Sequence, residues 1–180
     1  MHERRYNAAI ERLRSPERVA LLEIERVVDL GLEGIRVGSV LDVGTGSGIF
    51  AEHFAQKQLS VGGVDPNPEM LHAAKEFVPA GDFHEGSVEN LPFNDKSFDL
   101  VFLGHVLHES DDLIKALAES KRCATQRVVI LEWPYRQEEN GPPLEHRLKK
   151  EDVLAAAATV GFSRMETVPL HHMVLFRFAV

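Results

Sequence analysis

The chain has little cysteine and no long apolar run. Cys123 is its single cysteine, so it can form neither an internal disulfide nor a cysteine-based metal cage. No apolar stretch approaches the roughly 18 residues that a membrane span requires, and the opening residues MHERR lack the apolar segment of a signal peptide. We therefore expect a cytoplasmic protein with no membrane partner.

Basic charge is also scarce. The net charge is −8, with 20 Lys and Arg against 28 Asp and Glu. Because an acidic surface repels phosphate backbones, a nucleic-acid partner is disfavoured. The 44% hydrophobic and 27% charged residues are typical of a folded globular protein. A length of 180 residues predicts a single domain over 1–180, with helices in 1–31 capping a core formed by 37–180.

The glycine-rich segment VLDVGTGSG is the most informative part of the sequence. An apolar run reaches Asp42, three glycines follow at alternate positions (Gly44, Gly46 and Gly48), and a helical pattern begins at Ile49. A strand, a tight glycine loop and a helix bring backbone N–H groups close to a small ligand in open α/β sheets. A dinucleotide fingerprint would require glycine where Ile49 stands, and the Gly-Lys-Ser/Thr of a P-loop is missing.

Strands alternate with helices along the rest of the chain, which predicts an α/β fold with a mostly parallel, doubly wound sheet. The last two strands are close enough to form a hairpin, which would place one antiparallel strand in the sheet. The predicted strands are 37–43, 60–64, 81–85, 98–103, 127–131, 163–168 and 173–178, and the predicted helices are 2–13, 15–31, 47–58, 66–77, 111–122 and 150–160.

An acidic residue ends the second strand. Asp65 follows Gly48 by 17 residues, and an acid at this place can accept hydrogen bonds from both hydroxyls of a ribose. The alternative is that Asp65 only favours the start of the next helix. Its combination with the glycine loop favours the ribose interpretation.

Four motifs occur in a fixed order: VLDVGTGSG, GVDPNPEML, LPFNDKSFDLV and VLH. Together they resemble the small Rossmann-like (class I) S-adenosylmethionine-dependent methyltransferases, the group that includes the ubiquinone/menaquinone-biosynthesis C-methyltransferases. The resemblance covers about residues 37–135. It implies a seven-stranded sheet and S-adenosylmethionine as cofactor, with S-adenosylhomocysteine as product.

The resemblance also implies which residues bind the cofactor. Asp42 and the glycine loop would hold the methionine moiety, Asp65 the ribose, and Met70 would pack near the adenine. Ser87 stands where the family usually has Asp, and the family's Lys-Pro-Gly-Gly turn is replaced by KRCATQ. The full set of expected cofactor residues is Asp42, Gly44, Thr45, Gly46, Gly48, Asp65, Pro66, Met70, Gly86, Ser87, Val88, Glu89, Leu103 and Gly104.

Two residues are candidates for catalysis. Methyl transfer chiefly requires alignment of the acceptor, and a base is needed only where the acceptor loses a proton. His105 follows the fourth strand and is the best placed base; turnover would then rise with pH near 6.5. Its alternative is a helix-start histidine that contacts backbone. Glu132 ends the fifth strand and either binds or activates the acceptor, or is an exposed strand-end acid.

A small-molecule acceptor is expected to contact Tyr6, His108, Tyr135 and His146, although a structural role for His108 fits its place one turn beyond His105. We expect no metal site. The HxxHE segment lacks the i, i+4 histidines of a zinc-binding helix, and His171 and His172 would point to opposite faces if that segment is extended.

The sequence thus favours S-adenosylmethionine-dependent methyl transfer to a small molecule by in-line displacement. Two alternatives remain open. One is a protein that binds S-adenosylmethionine without turnover, because an intact glycine loop does not require catalysis. The other is an NAD-dependent oxidoreductase, against which the glycine spacing argues.

Overall fold

The computed structural model describes residues 10–180. Tyr6 and most of the helix expected at 2–13 lie outside this range; only α1, Ile10–Leu13, is described. The sheet within it has seven strands: β1 Ser39–Val43, β2 Ser60–Asp65, β3 Asp82–Glu85, β4 Phe98–Gly104, β5 Ala124–Glu132, β6 Arg164–Pro169 and β7 Val174–Ala179.

The strand order is β3-β2-β1-β4-β5-β7-β6. Strands β1 to β5 pair in parallel, whereas β7 runs antiparallel to both β5 and β6. The predicted fold class, a mostly parallel doubly wound sheet with a closing antiparallel hairpin, is therefore confirmed. The chain reverses its order at β1 and β4, so the carboxyl ends of these strands flank the crevice where such sheets bind ligands.

Helices cover both faces of the sheet. Successive strand residues face opposite layers. Leu41 and Val101 belong to one apolar cluster with the helices Leu113–Cys123 and Lys150–Val160, while Val40 and Leu100 belong to another with the helices Ile24–Leu32 and Ile49–Gln56. Within residues 10–180 the longer helices are α2 Pro16–Leu22, α3 Ile24–Leu32, α4 Ile49–Gln56, α5 Pro68–Phe77, α6 Leu113–Cys123 and α7 Lys150–Val160, and short 3-10 turns occupy Leu107–Glu109 and Leu144–His146.

The single helix expected at 15–31 is wrong, because it is broken at Glu23. This residue has a left-handed φ of 48° and ends α2 while it begins α3. Its carboxylate accepts hydrogen bonds from the main-chain N of His171 (3.1 Å) and from Arg26 (2.9 Å). Gly31 does not end the second helix as predicted; it lies inside α3, where an added Cβ would meet the methyl groups of Val129 at 3.8 Å.

The turn between β6 and β7 contains His171 and His172, as the predicted strand bounds imply. The two residues lie in a bend, and their rings meet edge to face with centroids 4.4 Å apart. Residues 10–180 contain no group of three or more His, Cys, Asp or Glu side chains placed to hold a metal ion. In the same range, no helix is both long and apolar enough to cross a bilayer.

Candidate active site

A cavity of about 1080 Å³ opens at the carboxyl ends of the parallel strands. Its walls come from the glycine loop, from the ends of β2 and β4, from α1 and α2, and from the loop after β5. The lining residues include Arg12, Leu13, Ser15, Arg18, Leu21, Gly44, Gly46, Asp65, Pro66, Met70, Ser87, Val88, Glu89, Gly104, His105, Val106, His108, Trp133, Asn140, Gly141, Pro142, Pro143 and His146.

The three loop glycines all have positive φ, at 68°, 52° and 76°. A Cβ at Gly44 would lie 2.8 Å from Val106, and one at Gly48 would lie 2.8 Å from the Cα of Ala74, so these two glycines allow close packing. At Gly46 the nearest atom to such a Cβ is Leu13 Cδ1 at 4.0 Å, and both residues line the cavity. Gly46 thus keeps open the space that a ligand would fill.

Asp65 stands at the end of β2 in the same wall. Its Oδ2 accepts a hydrogen bond from Gly46 N at 2.9 Å, and its Oδ1 accepts one from Asn67 N at 2.9 Å. The cap of α5 is Asn67, which accepts from Glu69 N. Asp65 therefore tethers the glycine loop while its carboxylate borders the cavity.

Asp42 lies beneath the glycine loop and not in the cavity wall. Its Oδ2 accepts hydrogen bonds from Thr45 Oγ1 at 2.8 Å and from Ala51 N at 3.2 Å. Burial raises the pKa of the Asp42 carboxyl to about 7. Asp42 and Thr45, both buried, stabilise the conformation of the loop. They would therefore affect a bound ligand only indirectly, through the position of the loop.

This buried acid predicts a pH dependence of stability. Its pKa is higher in the folded protein than in the unfolded chain, so its contribution is full below about pH 4 and is lost as pH rises toward 7, at up to about 1.4 kcal/mol per unit. We expect Asp42→Asn to become increasingly stable relative to the wild type between these values in urea denaturation. A difference that stays flat between these pH values for Asp42→Asn would contradict the raised pKa.

Most of the residues expected around the adenine lie in the cavity wall. Met70, Ser87, Val88 and Glu89 share one wall of the cavity, and Glu89 Oε1 accepts a hydrogen bond from Asp111 N at 2.8 Å. Four expected cofactor residues lie outside the wall besides Asp42: Thr45, Gly48, Gly86 and Leu103. A Cβ at Gly86 would meet Val64 and Pro92 at 3.1 Å, and Leu103 is fully buried in the sheet.

His105 faces the cavity in a strained conformation, with φ at 59°. Its ring lies 5.4 Å from that of Trp133, and Nε2 is 3.3 Å from Met173 Sδ. Burial lowers the pKa of His105 to about 3. The expected rise of turnover near pH 6.5 therefore does not follow from His105, which stays neutral and is a weak base.

Glu132 is buried and paired, so its interpretation as an exposed acid is wrong. Its Oε2 lies 2.8 Å from His108 Nδ1, and its Oε1 accepts a hydrogen bond from His108 N at 3.1 Å. Burial alone would raise the pKa of Glu132, but the neighbouring His108 lowers it. Burial alone would likewise lower the pKa of His108, but Glu132 raises it.

A buried arginine organises the loop after β5, which sequence reasoning did not detect. Arg147 donates hydrogen bonds to the carbonyl oxygens of Pro134 (3.2 Å), Arg136 (2.8 Å), Asn140 (2.6 Å) and Pro142 (2.9 Å). The loop so held supplies Asn140–Pro143 to the cavity wall. The sequence offered one signal for this loop, because the loop follows a strand at the edge of the sheet where ligands bind.

The two candidates near this loop differ in position. His146 lines the cavity as expected. Tyr135 does not: it is 45% exposed outside the wall, with Lys149 Nζ 5.3 Å from its ring centroid.

We expect Arg147→Lys to loosen this loop. A lysine ammonium cannot reach four carbonyls with the planar fork of a guanidinium, and each carbonyl that is left without a partner and shielded from water costs about 1–3 kcal/mol. Amide hydrogen exchange within residues 134–147 should accelerate by roughly 5-fold to 150-fold. The more exposed Arg136→Lys serves as the control. Unchanged exchange in Arg147→Lys would show that the loop holds its shape without this side chain.

The strand order, the glycine loop after β1 and the cavity beside it define a class I S-adenosylmethionine-dependent methyltransferase fold. A family described as the methyltransferase domain matches residues 41–131, half of the chain. The chain therefore belongs to this methyltransferase family.

Curated relatives support the resemblance to the quinone-biosynthesis group. The chain is 39% identical over 92 residues to a demethylmenaquinone methyltransferase of Chlorobaculum parvum, covering 51% of this chain and 38% of that protein. It is 36% identical over 112 residues to one of Thermotoga maritima, covering 60% and 48%. The chain thus spans less than half the length of these relatives.

A solved structure extends the likeness to nearly the whole chain. A SAM-dependent methyltransferase from Aquifex aeolicus superposes with a TM-score of 0.84 and 25% identity, covering 95% of this chain and 96% of that one. The matched length includes the helices and hairpin outside residues 41–131.

Proposed function

We propose that this protein transfers a methyl group from S-adenosylmethionine to a small-molecule acceptor held in the cavity. The observation that carries the proposal is the open space at Gly46, beside the carboxylate of Asp65 at the end of β2. Glycine loops at this edge of an α/β sheet approach ligands closely because they carry no side chain.

The residues of the cavity fit the cofactor. Gly44 and Gly46 would hold the methionine end, Asp65 would accept hydrogen bonds from the ribose hydroxyls, and Met70 and Val88 would pack on the adenine. When bound, the cofactor supplies a methyl group already activated on a sulfonium centre. What remains for the chain is to orient the acceptor and to exclude water.

The cavity has room for a second molecule. Its volume of about 1080 Å³ exceeds the usual upper end of about 1,000 Å³ for small-molecule sites. Besides His105 and His108, its acceptor side would be built by α1 and α2 and by the loop from Trp133 to His146, which lie outside the residues that match the family. The acceptor named for the curated relatives is thus a weak guide here, and we propose only that the acceptor is a small molecule.

Transfer of a labelled methyl group tests this function. Protein would be incubated with S-adenosylmethionine labelled at the methyl group and the small-molecule fraction of a cell extract. We expect label to move into a small acceptor with the wild type and not with Gly46→Val. Binding of S-adenosylhomocysteine without any transfer would favour the non-catalytic alternative, and binding of NAD in its place would reject the cofactor.

A further inference from the structure

A histidine–carboxylate pair joins the buried end of β5 to the cavity. His108 lies in the cavity wall, whereas Glu132 lies behind it and is 2% exposed. Glu132 contacts His108 twice, at the ring Nδ1 (2.8 Å) and at the main-chain N (3.1 Å). Its Oε2 also accepts from Trp133 N at 3.3 Å. The carboxylate is therefore fixed, and it fixes the imidazole in turn.

The second ring nitrogen of His108, Nε2, takes no part in the contact with Glu132. Among residues 10–180 no protein group hydrogen-bonds Nε2. Donation of Nδ1–H to Glu132 leaves the lone pair on Nε2 when the ring is neutral. An imidazole oriented by a carboxylate, with Nε2 turned to a ligand, is the arrangement of a general base.

We propose that His108 is the general base of methyl transfer, that Glu132 is its positioning residue, and that the acceptor is a hydroxyl-bearing small molecule. This inference rests on the proposed function. As the acceptor oxygen forms its bond to the methyl carbon, the carbon–sulfur bond breaks and its electron pair stays on sulfur, which neutralises the sulfonium. The hydroxyl proton passes to Nε2 of His108.

The need for a base selects the acceptor class. Carboxylic acids are already ionised at neutral pH, and an amine that is neutral at this pH, such as an aromatic amine, attacks through its own lone pair. A phenolic or alcoholic hydroxyl is weakly acidic and attacks poorly while it keeps its proton. A built base in the wall is therefore most useful for a hydroxyl.

The charges around His108 distinguish it from His105. Burial lowers the pKa of His108, while Glu132 and, more weakly, Glu109 raise it and Arg147 opposes them, so that the pKa ends above its usual value. His105 packs against Trp133 and Met173, and burial there outweighs the effect of Glu132. Of these two cavity histidines, His108 alone contacts the buried acid, while His105 shapes the wall.

Acceptors with and without a transferable proton separate a base from a structural pair. The probes are a pool of phenol, catechol and 4-hydroxybenzoate, and a pool of thiophenol and 4-mercaptobenzoate, which are thiolates at pH 8. We expect His108→Gln to lower methylation of the phenols by about 10²–10⁴-fold and to leave methylation of the thiolates within a few-fold. Glu132→Gln should follow the same pattern with a smaller loss. His105→Gln should affect both pools alike.

Imidazole NMR of the protein without cofactor gives a readout independent of activity. Neutral His108 should carry its proton on Nδ1, and Glu132→Gln should lower its pKa. Turnover with the phenols should rise with pH through a value above 6.5, and turnover with the thiolates should not. His72→Gln, at an exposed site, should match the wild type throughout.

Several results would overturn the inference. Equal losses with phenols and thiolates in His108→Gln would make the pair structural, and the absence of transfer to any phenol by the wild type would reject the hydroxyl acceptor. Both of these results count against the inference only if calorimetry shows that S-adenosylhomocysteine binds to the protein. If the wild type does not bind it, the proposed function itself fails, so the two failures are distinguishable.

Discussion

Gly46→Val is expected to abolish binding of S-adenosylmethionine and S-adenosylhomocysteine, with a loss of affinity of at least about 100-fold. The valine side chain would enter the cavity, where the nearest atom to an added Cβ is 4.0 Å away. It would also be forced to a φ of 52°, a conformation that β-branched residues rarely adopt. Isothermal titration calorimetry measures the affinity, and thermal unfolding measures the strain.

Gly34→Val separates the two effects. Gly34 has a φ of 77° and no atom within 4 Å of an added Cβ, and it lies outside the cavity. Both variants should lose about 1–3 kcal/mol of stability from backbone strain, but Gly34→Val should bind S-adenosylhomocysteine like the wild type. If Gly46→Val also binds with native affinity, no ligand approaches this loop.

Asp65→Ala is expected to weaken cofactor binding by about 1.5–3 kcal/mol, the usual loss for hydrogen bonds to a charged acceptor. The structure adds a second reason, because Asp65 accepts hydrogen bonds from Gly46 N and Asn67 N and so positions the glycine loop. Asp65→Asn keeps the shape of the side chain and should lose less. Calorimetry with S-adenosylhomocysteine measures both variants.

The neighbouring strand offers a matched control. Glu85 pairs with Asp65 in the register of β2 and β3 and also ends its strand, but it is exposed and outside the cavity. Glu85→Ala should leave the affinity unchanged. Unchanged affinity in Asp65→Ala as well would reduce Asp65 to a residue that holds the loop and the start of α5.

The order of strands and helices could be predicted because each carries its own local pattern. In Ser60–Asp65, the buried residues 61–64 carry no polar side chain and an acid follows them, and Lys150–Val160 ends at Gly161, whose φ of 84° suits glycine. The break at Glu23 could not be predicted in the same way. The left-handed conformation of that residue is held by a contact with His171, far along the chain.

The candidate site could be predicted only in part. That Gly46 and Asp65 would lie together could be inferred because the loop, the strand end and their spacing lie within one stretch of sequence. The pairing of Glu132 with His108 could not be predicted, because the sequence around a strand-end acid does not indicate which residue of a loop after another strand it contacts. Arg147 was missed for the same reason: its four carbonyl partners belong to an irregular loop without periodicity.

Calorimetric titration of the wild-type protein with S-adenosylhomocysteine and, separately, with NAD tests the central claim most directly. The glycine spacing, the open space at Gly46 and the carboxylate of Asp65 predict micromolar-range affinity for S-adenosylhomocysteine and no measurable heat from NAD. Tight binding of NAD with no heat from S-adenosylhomocysteine would contradict the account.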